Sequence, residues 1–199
     1  MLISLDKKLT ILAMTKTGST AVAAALASKC DIVFQGAPRI KHMQLRRYER
    51  FLVPYLSNLG ADDIETTCVF RDPIGWLGSW YRYRSRPALN GAANSTAQMS
   101  FVDFVKAYLL EDRPAFARVG QPSKFVRHAD GSVGVDHLFR YDNFDGFQRF
   151  LEDRFETKLN LERINVSAER NLDLPPALER RLREALADDY EIYESIASV

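Results

Sequence analysis

The segment that most constrains the fold is residues 11–26, ILAMTKTGSTAVAAAL, where an apolar strand pattern gives way to an alanine-rich helix pattern. The residues at the junction are Lys16, Thr17, Gly18, Ser19 and Thr20. The first turn of a helix has backbone N–H groups without intrahelical acceptors and carries about half a positive charge. A strand, a loop and a helix in this order therefore predict an anion site at the start of the helix.

Each residue type at the junction suits an oxyanion. Lys16 adds a full positive charge, and Gly18 allows the backbone to approach a ligand closely or to adopt a conformation that other residues avoid. Thr17, Ser19 and Thr20 supply hydroxyl donors. An alternative remains open, in which Thr17 or Ser19 only caps the helix and Lys16 is solvated.

Three known motifs match this segment poorly. A Walker A loop requires GxxxxGK[ST], whereas Lys16 precedes Gly18 by two positions and no earlier glycine exists. The KTG tripeptide of β-lactamase-like enzymes is present, but the SxxK match of Ser4 and Lys7 is only a few residues away and no SDN motif follows. A dinucleotide fingerprint needs three glycines, and this segment has one.

Composition limits the partners of the chain. With 199 residues, 46% of them hydrophobic, we expect a single domain spanning residues 1–199. The net charge of +1 excludes the broad positive field that drives nonspecific nucleic-acid binding, so an anion must be bound locally. Cys30 and Cys68 lack metal-ligand spacing, and we expect two reduced thiols and no metal site.

Targeting signals are absent from the sequence pattern. The opening residues MLISLDKKLTILAM lack the long apolar core and small-residue cleavage site of a signal peptide. No run of 18 apolar residues occurs anywhere in the sequence. We therefore expect a soluble cytoplasmic protein without membrane insertion.

The alternation of apolar runs and helical patterns predicts an α/β fold with a mainly parallel sheet. The predicted strands are residues 9–14, 31–34, 66–70 and 135–141. The predicted helices are residues 18–28, 42–57, 73–84, 100–110, 143–155 and 175–196. The last helix carries a stripe that we assign to the core: Leu178, Leu182, Leu186, Tyr190 and Tyr193. Residues 86–100 and 118–134 are predicted to be long loops.

A second anion site is predicted by CVFRDPIGWLGSWYRYRS, residues 68–85. Asp72 followed by Pro73 is a strong helix start, because the carboxylate can accept from a first-turn N–H and proline suits the first turn. Arg71 then lies at the carboxyl end of a buried strand, where open α/β sheets bind their ligands. Ser79 follows within the helix.

The same helix carries aromatic residues and glycines. Trp76, Trp80 and Tyr83 follow one face at helical spacing, and we assign them to the core. Gly75 and Gly78 each cost about 1 kcal/mol relative to alanine in a helix, so something should approach them closely. Three interleaved arginines form either a solvated face or a basic patch: Arg82, Arg84 and Arg86.

These two segments together resemble the sulfotransferases that use 3′-phosphoadenosine 5′-phosphosulfate (PAPS), in particular the carbohydrate-type branch. TKTGST is similar to the family's 5′-phosphosulfate loop, although Thr15 stands where the family has proline. VFRDPIGWLGSWYR resembles its 3′-phosphate motif, and Arg71 and Ser79 match the phosphate-binding positions. Two further segments, containing Arg140 and Ser167, resemble the family's last strand and carboxyl-terminal region, and we assign both residues structural roles.

The resemblance implies a three-layer α/β fold with a P-loop-like strand, loop and helix. It also implies transfer of a sulfuryl group from PAPS to a hydroxyl of a carbohydrate, with no metal. The donor would be bound by the junction residues together with Arg71 and Ser79. Lys16 would stabilise the departing phosphate oxygen. As the base we expect His42, a histidine that titrates near neutral pH. The alternatives are two other histidines, His128 and His137, and three carboxylates, Asp62, Asp63 and Glu65.

Two other functions can use the same strand, loop and helix. A nucleotide-dependent kinase or NTPase would use a strand, loop and helix, but the Walker spacing and an acidic Mg²⁺ partner are missing. A noncatalytic nucleotide-binding protein is the other alternative, because fold does not fix function. The sequence identifies neither the acceptor nor the oligomeric state.

Overall fold

The structure, a computed structural model, describes residues 1–161 and 168–197. Within these residues the strands are β1 (Leu2–Ser4), β2 (Leu9–Ile11), β3 (Ile32–Val33), β4 (Glu65–Phe70) and β5 (His137–Arg140). The helices are α1 (Ser19–Leu26), α2 (Pro38–Lys41), α3 (Leu45–Phe51), α4 (Val53–Ser57), α5 (Pro73–Arg84), α6 (Phe101–Tyr108), α7 (Phe144–Phe155), α8 (Pro176–Ala185) and α9 (Ala187–Ser195). The predicted long loops contain short 3-10 turns at Pro87–Leu89 and Ser123–Phe125.

The strands form one mixed sheet in the order β3-β1-β2-β4-β5. β1 pairs antiparallel with β2 and β3, whereas β2 pairs parallel with β4 and β4 with β5. The predicted α/β class is confirmed. The sequence predicts a mainly parallel sheet, and the difference is β1, whose three residues are all buried and therefore show no polar alternation that marks a strand.

The parallel pairing of β2 with β4 sets the position of the site. The amide of Leu12, directly after β2, donates to the carbonyl of Thr67 in β4 at 2.9 Å. Parallel strands end at the same edge of a sheet. The loop that follows β2 and Arg71, the residue that follows β4, therefore leave the sheet side by side.

Helices flank the sheet. Val69 of β4 packs in a cluster with apolar residues of α1 and α7, whereas Cys68 and Phe70 pack in a second cluster with α3, α4 and α9. This alternation is what a strand buried on both faces requires. Both cysteines are free, as predicted, with Cys68 fully buried and Cys30 partly exposed.

Two predicted helices are divided in the structure. The predicted helix 42–57 is α3 and α4, because Pro54 lacks an N–H and cannot continue the hydrogen bonding of α3. The predicted helix 175–196 is α8 and α9, with Leu186 between them in a conformation that interrupts the helix. The apolar stripe assigned to the core is confirmed, since all five of its residues are buried.

The start of α5 matches its prediction. Asp72 Oδ1 accepts from the amide of Gly75 at 2.6 Å, and Pro73 is the first helical residue. The close approach expected at the glycines is confirmed at Gly78, where a Cβ atom would lie 2.5 Å from Leu172 Cδ1. Together with apolar residues of α6 and α8, α5 forms a third cluster of buried side chains beside the sheet.

Arg84, at the end of α5, belongs neither to a solvated face of the helix nor to a basic surface patch. It is buried, and its guanidinium donates to three backbone carbonyls, those of Ala115, Phe116 and Arg118, at 2.8, 2.6 and 3.0 Å. These bonds solvate the buried guanidinium and hold the carbonyls of the 3-10 turn at Ala115–Ala117 and of Arg118. Arg84 therefore fixes residues 115–118 against α5.

We expect the Arg84→Met variant to lose about 2 kcal/mol or more of unfolding free energy, because three carbonyls lose their charged donor. Urea unfolding followed by circular dichroism measures this loss. Arg180→Met, at an exposed arginine of α8, is the matched control and should stay within about 0.5 kcal/mol of wild type. Equal effects of the two substitutions would contradict the role of Arg84 in fixing residues 115–118 against α5.

Candidate functional site

The loop between β2 and α1 is held by two side chains from the start of α5. Arg71 Nη1 donates to the carbonyl oxygen of Lys16 at 3.1 Å, and Trp76 Nε1 donates to the carbonyl oxygen of Thr15 at 2.9 Å. The two segments singled out by their sequence motifs are therefore in direct contact.

The loop backbone is unusual at two positions. Lys16 has a φ of 67°, a left-handed conformation that non-glycine residues seldom adopt, and Gly18 has a φ of 79°. Gly18 occupies the N-cap of α1, and no side chain caps the helix. The alternative in which Thr17 or Ser19 serves as the helix cap is therefore wrong. The backbone N–H groups of residues 15–18 donate to no acceptor in the described part of the chain.

The hydroxyls of Thr17, Ser19 and Thr20 have different surroundings. Thr17 is buried, and its Oγ1 donates to the carbonyl of Met14 at 3.0 Å, so its side chain braces the loop. Ser19 is half-buried at the start of α1. Thr20 is exposed and its Oγ1 accepts from Lys41 Nζ at 3.1 Å. Of these three hydroxyls, those of Ser19 and Thr20 are accessible.

Lys16 lies among aromatic rings and other cations. Its Nζ is 4.3 Å from the ring centroid of Tyr83 and 5.8 Å from that of Trp80. Burial, followed by the positive charges of Arg86, Arg71 and Arg82, lowers the pKa of Lys16 to about 8. The positive charges of three arginines therefore act on Lys16, which favours the binding of an anion there.

Arg71 is also partly withdrawn from water. Its guanidinium carbon is 4.4 Å from the Tyr141 ring centroid, and burial lowers the pKa of Arg71 below its ordinary value. Its Nε is 3.6 Å from the position that a Cβ of Gly75 would occupy, so the side chain lies against the first turn of α5. Ser79, one turn later on the same face of the helix, is half-buried.

His42 follows α2 and does not begin a helix as the sequence suggested. Its Nδ1 lies 2.6 Å from the carbonyl oxygen of Ala13, two residues after β2. Burial lowers the pKa of His42, although the hydrogen bond to Ala13 acts in the opposite direction and the charges of Lys41 and Lys16 lower it further. The ring is therefore neutral at pH 7 and lies beside the loop.

The other proposed bases lie elsewhere. Asp62, Asp63 and Glu65 precede or begin β4, and His137 begins β5, with its Nε2 3.3 Å from Glu65 Oε2. Six strand residues span about 20 Å, so this group lies at the opposite edge of the sheet from Arg71. The remaining histidine, His128, is hydrogen-bonded to Glu49 on α3.

Sequence reasoning missed several neighbours of Lys16. Trp80 and Tyr83 were expected in the core with Trp76, but only Trp76 is fully packed; Trp80 is half-buried and Tyr83 is 36% exposed. Trp80 Nε1 is buried without an acceptor among the described residues. Helical spacing could have predicted these neighbours. Arg82 and Tyr83 follow Ser79 by three and four positions and therefore lie on the same face of the helix as Ser79.

Two residues from the further family-like segments were assigned structural roles. Arg140 ends β5, and its guanidinium carbon lies 4.0 Å from the ring centroid of Tyr193. Ser167 lies outside the described residues.

Comparisons with family models, with curated proteins and with solved structures found no significant match to this chain. Within the described ranges, no group of three or more His, Cys, Asp or Glu side chains is arranged to hold a metal ion. No helix among those residues is long and apolar enough to cross a membrane.

We expect the pKa of Lys16 to rise from about 8 in the Arg82→Gln/Arg86→Gln variant, because two of the positive charges that lower it are removed. Titration of the lysine side chains by NMR measures the change. The matched control is Arg180→Gln/Arg181→Gln, which removes two exposed charges from α8. An equal rise in both variants would show that the lowering does not come from the local arginines.

Proposed function

We propose that the protein is a sulfotransferase, which moves the sulfuryl group of PAPS to an acceptor hydroxyl, on a carbohydrate. The observation that carries the proposal is the hydrogen bond between Arg71 Nη1 and the Lys16 carbonyl, at 3.1 Å. It joins the two segments whose motifs resemble the two anion sites of that family. A nucleotide with anionic groups at both its 5′ and 3′ positions would span them.

The proposal includes a P-loop-like arrangement of β2, the loop and α1. This arrangement would belong to a three-layer fold with a mainly parallel central sheet. The strand directions support it: β2, β3, β4 and β5 all run the same way, and only β1 runs against them. The site would then lie at the carboxyl ends of parallel strands, the usual ligand edge of such sheets.

The loop would receive the 5′-phosphosulfate. Free N–H groups of residues 15–18, the hydroxyls of Ser19 and Thr20, and the partial charge of α1 suit its oxygens. Lys16 would move from the Tyr83 ring to the oxygen that bridges sulfur and phosphorus. There its ammonium would stabilise the charge that develops on the departing phosphate.

Arg71 and Ser79 would hold the 3′-phosphate. A guanidinium fork together with a hydroxyl matches a phosphate monoester in both charge and shape. Arg71 is fixed by its bond to the Lys16 carbonyl, so binding would need little ordering of that side chain. The two ends of the nucleotide would therefore be gripped by one connected unit.

His42 would take the proton from the hydroxyl of the acceptor substrate. With Nδ1 donating to the Ala13 carbonyl, Nε2 carries the lone pair, and the lowered pKa keeps the ring neutral at pH 7. The acceptor oxygen would form a bond to sulfur while the bond from sulfur to the 5′-phosphate oxygen breaks. Its proton would pass to Nε2, and 3′-phosphoadenosine 5′-phosphate would leave with the bonding pair.

The donor site is tested by calorimetric titration with 3′-phosphoadenosine 5′-phosphate and, for comparison, adenosine 5′-phosphate. We expect the first to bind more tightly, and Arg71→Ala to weaken it by on the order of 10–100-fold, because hydrogen bonds to a charged group are lost. Arg180→Ala, an exposed arginine on α8, should bind as wild type does.

No preference for the 3′-phosphate would contradict the proposal. Magnesium-dependent ATP hydrolysis would instead favour the kinase or NTPase alternative. Tight binding of the donor without transfer to any acceptor would favour a noncatalytic nucleotide-binding protein.

The base is tested with His42→Asn, which we expect to lower kcat by about 10²–10⁴-fold while the affinity for the nucleotide stays unchanged. In wild type, kcat should fall in acid with an apparent pKa below 6.5, because protonated His42 cannot accept a proton. This acid limb should disappear in the variant. His137→Asn, at the other edge of the sheet, is the control, and an acid limb that persists in His42→Asn would assign the base elsewhere.

A further inference from the structure

The outward side of residues 38–59, here called the α2–α4 surface, is rich in exposed apolar side chains. Nine large hydrophobic side chains are exposed among the described residues, and five of them belong to this surface: Ile40, Phe51, Val53, Tyr55 and Leu59. Phe51, Tyr55 and Leu59 are 52%, 54% and 56% exposed. Exposed apolar side chains grouped within one short segment are candidates for an interaction surface.

The exposure follows from how the two helices pack. Leu45 and Tyr48 of α3 and Leu56 of α4 are buried in the same cluster against the sheet. The five exposed apolar side chains belong to none of the three buried clusters. No core packing accounts for their apolar character.

The same surface is basic. Residues 38–59 contain five basic side chains against the single carboxylate of Glu49, in a chain whose net charge is only +1. Arg39, Arg46, Arg47 and Arg50 are exposed, whereas Glu49 is paired with His128. This excess of positive charge favours an anionic partner.

The presence of charged and apolar side chains on the same surface also limits the chemical class of the partner. The guanidinium carbons of Arg47 and Arg50 lie 6.0 and 5.2 Å from the ring centroid of Phe51, so cations flank the largest exposed apolar side chain. A second copy of this chain would bring like charges together. A soluble polyanion offers nothing to Val53 or Leu59. The headgroup region of an anionic bilayer accepts both kinds of side chain.

We propose that the α2–α4 surface binds peripherally to anionic lipid bilayers. The exposed arginines contact the phosphate and carboxylate headgroups, and Phe51, Tyr55 and Leu59 reach the boundary with the acyl chains. This proposal does not depend on the reaction that the protein catalyses. It does place Lys41, which bonds Thr20 of the loop, beside the membrane-facing residues.

The test is co-sedimentation with vesicles of phosphatidylcholine alone and with vesicles in which part of the lipid is phosphatidylserine. We expect binding only to the anionic vesicles, weakening as salt rises. Arg46→Glu/Arg47→Glu should weaken binding by about 30-fold or more, since each basic residue near such a surface contributes about 5-fold. Phe51→Ser/Leu59→Ser should weaken it by roughly 10-fold or more, because buried apolar area is lost.

Matched control variants distinguish an effect of the α2–α4 surface from an effect of the protein's overall charge or hydrophobicity. Arg180→Glu/Arg181→Glu makes the same change in net charge on α8, and Leu110→Ser/Val133→Ser removes two side chains that are 55% and 43% exposed. Both should bind as wild type does. Absence of binding to anionic vesicles, or equal losses in test and control variants, overturns the proposal. Binding to soluble dextran sulfate with the same arginine dependence, and vesicle binding that ignores Phe51 and Leu59, would overturn it in favour of a polyanion.

Discussion

The hydrogen bond from Arg71 to the carbonyl of Lys16 is the contact on which the candidate site depends. It exists because β2 and β4 pair in parallel and end at the same edge of the sheet. The Asp72 cap fixes the start of α5, from which Trp76 makes a second bond to the same loop. The strand ends, the loop and α5 are therefore one connected unit.

Two arginines of α5 show how differently the fold treats positive charge. Arg84 is buried and its charge is solvated by three backbone carbonyls, so it serves stability. Arg82, two residues earlier, adds its charge to those of Arg86 and Arg71, and these charges together with the larger effect of burial lower the pKa of Lys16 to about 8. Concentrating like charges is unfavourable in the free protein, and an anionic ligand would relieve that repulsion.

Local sequence signals predicted the parts of the molecule that local physics determines. The Asp72–Pro73 helix start, the close approach at Gly78 and the buried stripe of α8 and α9 are examples. β1 was missed because three buried residues carry no periodicity, and the division at Pro54 was missed because the apolar pattern continues across it. The neighbours of Lys16 depend on how α5 is rotated against the sheet, which tertiary packing decides. The ligand of the site remains a prediction.

The two bonds that α5 makes to the loop also fix the directions of two peptide groups. In a planar trans peptide the carbonyl and the following N–H point in opposite directions. Because the carbonyls of Thr15 and Lys16 are held toward Trp76 and Arg71, the N–H groups of Lys16 and Thr17 point away from those side chains. The loop is thus ordered before any ligand arrives, and binding need not include the entropic cost of orienting these two dipoles.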